Sequence, residues 1–173
     1  MVSIESIGER IDRWPRERLA ERLSAASYGT VLVLASLALI DPDDVSSGLG
    51  WELVTGVGIA TWLAHLFAQV VGDHVRRGSP VDREEFARAM ADGVPIPLAA
   101  VAPAVMLGLG RLDVLDDDAA LWASIAIAIV QLAGVGAVVG STVSGRGKAT
   151  WSYAAATAVF GLFVVSLKLA LSH

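Results

Sequence analysis

His65, Gln69 and Asp73 recur at four-residue intervals within residues 51–75, WELVTGVGIATWLAHLFAQVVGDHV, a stretch otherwise built of apolar and small residues. Four residues is slightly more than one helical turn, so the three polar side chains stack into one row. An imidazole and a carboxylate can relay protons or ligate a first-row divalent ion, for which the amide is a weaker ligand. At about 1.5 Å per residue, His65 lies roughly 21 Å from Trp51, a little past the middle of a span, with Asp73 near the far end. A charged residue at mid-span costs about 2.5–3.5 kcal/mol on insertion scales. An interhelical hydrogen bond in a membrane returns only about 0.6 kcal/mol on average. A water-lined path for protons or a metal ion accounts for the row better than bonding alone. Structural hydrogen bonding between helices is the competing reading.

Other residues are candidates for the same site. Gln131 lies about as deep in its own apolar stretch as His65 does, and is its natural neighbour. Tyr28, in SAASYGT, is expected at the level of Asp73, to which its hydroxyl could donate. Lys168 is expected to snorkel to the headgroups. Gly56, Ala60, Ala64, Ala68 and Gly72 form a row of small residues one step from the polar one, and Gly136 and Gly140 form a GxxxG step. Both patterns predict close helix contacts. His65 and His74, nine apart, face nearly opposite directions and are not a ligand pair. The acidic LDVLDDD lacks the glycine and terminal glutamate of a calcium loop. Neither a nucleophile motif, a zincin motif nor a phosphate loop occurs, and we expect no enzyme.

The elements that carry these residues are membrane spans. Hydrophobic residues make up 54% of the 173, and the charges avoid long blocks of the sequence. That separation predicts an all-α polytopic membrane protein. Five spans are expected, at about 24–40, 51–75, 94–110, 119–140 and 150–171. Residues 24–173 thus form one transmembrane domain. The preceding 1–23 read as a cytoplasmic amphipathic segment, with Ile4, Ile7, Ile11 and Trp14 on one face of an interfacial helix. Residues 80–92 read as a short cytoplasmic helix capped by Ser79, entered through Pro80, supported by Asp82 and ended by Gly93. Pro103 should kink the third span and free the carbonyl of Ala99.

Arg10, Arg13, Arg16, Arg18 and Arg22 precede the first span, Arg76, Arg77, Arg83 and Arg88 follow the second, and Arg146 and Lys148 follow the fourth. Eleven of the 13 basic residues therefore fall on one side, which places the amino terminus in the cytoplasm and the carboxyl terminus outside. The expected location is the plasma (bacterial inner) membrane, with the lipid bilayer as the first partner. With zero cysteines there are no disulfides or thiolate metal sites. The basic residues form no stripe with interleaved aromatics, which speaks against nucleic acid as a partner.

The layout resembles the vacuolar iron transporter family of five-span divalent-metal exporters. Where that family's second span reads A-D-G-L-S-M-A-x-G-D, residues 64–73 read AHLFAQVVGD, and Tyr28-Gly29 stands where its first span has Asp-Gly. Ala64, Ala68, Gly72, Asp73 and Gly29 fit, while Tyr28, His65 and Gln69 replace the family's Asp, Asp and Met. The family's long acidic cytoplasmic helices are reduced here to VDREEFARAMADG. The resemblance implies a homodimer that moves an iron- or manganese-like ion, with His65 and Asp73 as the remaining metal ligands. The chain is also similar to small multi-span bacterial membrane proteins, a resemblance that implies no activity. A non-transporting assembly or accessory protein, in which the row only holds helices together, is the alternative function.

Overall fold

In the computed structural model, residues 16–144 and 147–171 are described, apart from the side chains of 144, 149 and 167–171. The expected interfacial helix at 3–14 and the Lys168 side chain lie outside that set. The regular structure among the described residues is all helical: α1 (Arg16–Leu37), α2 (Asp43–Ser46), α3 (Leu49–Arg77), α4 (Arg83–Gly93), α5 (Pro95–Arg111), α6 (Asp117–Ser144) and α7 (Lys148–Leu171).

Three helices are long and apolar enough to cross a membrane: Leu49–Arg77, the joined Arg83–Arg111, and Asp117–Val143. The last helix contributes a shorter apolar segment, Thr150–Ser166, and α1 carries charges in its first two turns. Large apolar side chains crowd the outer surface, among them Phe67 and Val130 at 70% exposure, Phe163 at 61% and Leu98 at 57%. A water-soluble monomer rarely shows so continuous an apolar surface, whereas lipid-facing helices require one.

The second long helix is made by joining two predicted elements. Asp82 caps α4 by accepting from Glu85 N–H at 2.8 Å, and Glu85 reaches back to Asp82 N–H at 3.2 Å, a full capping box. Ser79, expected as the cap, precedes that helix by four residues, and Pro80 lies outside it. Gly93 does not end the helix either. Val94 keeps right-handed helical dihedrals (φ −52°, ψ −33°), and Pro95 enters at the first position of α5, where its missing N–H does no harm. The reason for glycine at 93 is space: a Cβ there would lie 2.9 Å from Trp62 Cδ1.

α3 and the α4–α5 arm form a long antiparallel hairpin, with Trp51 beside Gly108, Gly58 beside Pro97 and Ala100, and Trp62 beside Gly93. A Cβ on Gly58 would approach that of Ala100 to 2.8 Å, so this glycine sets how closely the two arms meet. α5 then turns back into α6, with Gly110 against Ala120, and α6 into α7, with Gly136 against Tyr153 and Thr157.

The centre belongs to α1. It packs against α3, α4, α5, α6 and α7. It also buries Val33, Leu34 and Leu37 completely. Gly29 lets it approach α5 so closely that a Cβ would sit 2.8 Å from the Ile96 backbone. The contacts run Arg22 with Asp92, Gly29 with Ile96, and Val45 with Gly110, so α1 and α5 are parallel. One end of the bundle consequently gathers Arg16, Arg18, Arg22, Arg76, Arg77, Arg83, Arg88 and Lys148 with their acidic neighbours. The other end carries Asp41, Asp43, Asp44, Glu52, Asp113 and Asp116–Asp118, with Arg111 as its one base among described side chains.

Candidate functional site

The polar row lies on the inward face of α3. His65 and Gln69 share that face with Gly58 and Trp62, which meet the α4–α5 arm. Gln69 Nε2 and His65 Nε2 are 3.0 Å apart. An amide nitrogen can only donate, so in this pairing the ring nitrogen accepts. The imidazole edge lies against Gly93, 3.6 Å from where a Cβ would stand. His65 is therefore level with the joint between α4 and α5, the start of the expected third span, rather than with its middle.

Asp73 is occupied differently. Its Oδ1 accepts from Arg76 Nη2 at 2.5 Å, one turn further along the same helix. It is eight residues from His65, a rise of roughly 12 Å, so the two cannot share one ion by their position on α3 alone. Among the described residues no three of His, Asp or Glu converge as a metal site.

Tyr28 is 53% exposed on α1, and the Asp73 carboxylate takes its bond from Arg76 instead. Gln131 sits apart from the row as well. α3 packs on α1, α4 and α5, whereas α6 packs on α1, α5 and α7, so α1 and α5 stand between the two. Gln131 Oε1 is buried with no hydrogen-bond partner, as is Thr55 Oγ1.

No family model matches the chain, and no curated protein or solved structure is similar to it. The fold and the site thus rest on their own geometry.

The row instead borders a docking platform for α4. Trp62 Nε1 donates to the Met90 carbonyl at 3.4 Å. Arg22 Nε pairs with Asp92 Oδ1 at 3.3 Å and ties the same helix to α1, while Arg77 pairs with Glu85 across the turn. Three attachments, two from α3 and one from α1, hold an amphipathic helix that has only Phe86 and Met90 as large apolar residues. Sequence reasoning missed Trp62, although its place three residues before His65 puts it on the same helix side. It had no means of finding Arg22 with Asp92, which are 70 residues apart.

The two small-residue patterns diverge. Gly136 and Gly140 are buried. A Cβ on Gly136 would meet the Thr157 hydroxyl and lie 2.6 Å from the Tyr153 carbonyl. This is the close contact expected of the GxxxG step. By contrast, Gly56, Ala60, Ala64 and Ala68 are exposed, and a Cβ on Gly56 would meet nothing within 4 Å. Gly72 has only the end of Arg76 near it. Among the described residues this row packs against no helix, and Gly58 makes the contact with α5 instead.

Ser124 was also missed. It is fully buried and donates toward the carbonyls of Ala120 (2.8 Å) and Pro103 (3.1 Å). The polar link between α5 and α6 thus forms at Pro103 itself, not at the Ala99 carbonyl its ring leaves free.

Proposed function

We propose that the chain is a five-span membrane protein, amino terminus cytoplasmic and carboxyl terminus outside, acting as an assembly or accessory subunit. The observation that carries this reading is the use made of the polar row: Gln69 bonds to His65, Asp73 to Arg76, and the adjoining Trp62 to α4. The first two bonds stay within α3 and satisfy the row locally, while Trp62 ties α3 to α4. The sorting of basic and acidic residues to opposite ends supports the orientation. The partner is a second copy, packed on the outward row Gly56, Ala60, Ala64 and Ala68, where small side chains allow two backbones to approach.

The chain has no cysteine, so Ala60→Cys introduces a single thiol. Oxidising membranes that contain this variant is expected to give a disulfide-linked dimer. Proteoliposomes of the wild type are expected to admit divalent ions to a trapped dye no faster than empty vesicles. Flux above that background, abolished by His65→Ala and Asp73→Asn, would overturn the reading and establish transport. The transport reading, of a divalent metal ion or protons, has one observation in its favour, the unpartnered Gln131 Oε1 in the interior, which a water or an ion could satisfy.

A further inference from the structure

At the basic end of the bundle the first three turns of α1 stand off from the last turns of α6, leaving an open groove of about 880 Å³. Arg16, Leu19, Leu23 and Ser27 line it from α1, and Val139 and Val143 line it from α6. The α1 residues fall at helical spacing, so they form one face, while Glu17 and Glu21 project elsewhere. Three of the four hydroxyls in the walls are bonded within their own helices, Ser27 to the Leu23 carbonyl, Ser141 to Val138 and Thr142 to Val139, each at 2.8 Å, and Ser24 is the fourth. The walls are thus mixed, with Leu19, Ala20, Leu23, Val139 and Val143 supplying a continuous apolar part beside these hydroxyls. Arg16 is the one charged side chain among the described residues that line it, and it sits at the outer end of α1, at the mouth.

An apolar slot with a cation at its mouth, at the level where the apolar run of α6 ends, matches the two halves of a phospholipid. We propose that this groove binds an anionic phospholipid, with an acyl chain between Leu19, Leu23, Val139 and Val143 and the headgroup phosphate on the Arg16 guanidinium. The guanidinium fork suits phosphate oxygens, and a cation at a membrane surface favours anionic over zwitterionic lipid. Free phosphate would leave the apolar walls without a partner, so the lipid is the occupant that uses both parts. The proposal rests on the membrane reading above.

The test uses the full chain, purified in detergent and offered phosphatidylglycerol or phosphatidylcholine of equal chain length, with retained lipid counted by native mass spectrometry. We expect phosphatidylglycerol to be retained about fivefold better, the share of one cation at an anionic surface. Arg16→Gln should remove that preference and Arg16→Lys should keep most of it. Ala20→Phe, which fills the groove, should lower retention of both lipids. Equal retention of the two lipids by the wild type would overturn the proposal, as would retention unchanged by both Arg16→Gln and Ala20→Phe in variants that melt like the wild type. Extraction of the chain from membranes by carbonate alone would instead sink the membrane reading. A chain that stays embedded but shows no lipid preference sinks only the groove.

Discussion

Ser124 holds the joint between α5 and α6 with one hydroxyl, and its removal isolates that contribution. Ser124→Ala removes only the hydroxyl, and it leaves the Pro103 carbonyl without its cross-helix donor in a fully buried place. The expected loss is about 1 kcal/mol, between the average interhelical hydrogen bond in a membrane and the cost of a buried unsatisfied acceptor. Thermal unfolding in a mild detergent would measure it, and an unchanged midpoint would mean that the Ala120 carbonyl alone accounts for the hydroxyl. The residues of the polar row act on the same scale but in another way. Gln69 and His65 satisfy each other on one helix, so their positions were legible from four-residue spacing, but their partner was not. Imidazole, amide and carboxylate side chains at that spacing suit a relay, a ligand set or a local hydrogen bond equally well.

Glycine decides how the helices meet, and it does so differently on two of them. On α6, Gly136 lies against the Tyr153 carbonyl and the short, β-branched Thr157 side chain of α7, so an added side chain has little to push aside. Gly136→Val should destabilise the bundle by about 1–3 kcal/mol through overpacking, read as a lowered melting midpoint. Gly56→Val on α3 faces open space and serves as the control, with a change within about 0.5 kcal/mol in the monomer. A similar loss at both positions would mean that the α3 row is buried by a partner that survives detergent. α4 illustrates a different element-scale effect. Its charges make it read as a separate surface helix, yet its capping box starts it and nothing stops it before α5. Trp62, Arg22 and Arg77 then fix it along the hairpin.

Across the whole molecule, charge is sorted by end and apolar surface by side. The longer helices alternate in direction, so the described arginines other than Arg111 gather at one end with their acidic neighbours, and the other end is acidic apart from Arg111. With no native cysteine, single thiols can report the orientation in intact cells. Ser47→Cys, in the acidic loop before α3, should react with a membrane-impermeant maleimide added outside. Ser79→Cys, in the turn after α3, should react only once the membrane is opened. The reverse pattern would invert the topology and with it the positive-inside assignment.

The membrane character and the helices were open to the sequence because both depend on local composition. Apolar runs separated by charged turns permit little besides spanning helices, since backbone polar groups in lipid must bond within their own segment. The close approach at Gly136 was legible for the same reason, as small residues on one face invite close approach wherever a neighbour exists. Which helix is central was not legible. The stretch 51–75 is longer and more apolar than the first helix, yet the latter occupies the middle while much of α3 faces outward. In lipid, apolarity marks what may face outward as readily as what may be buried, so hydropathy alone cannot rank helices by burial. The small row on α3 and the inward Gly58 differ by two residues and opposite helix faces, and only tertiary packing decided which of them meets α5. The same holds for the neighbour of His65, which is Gly93 on the α4–α5 arm.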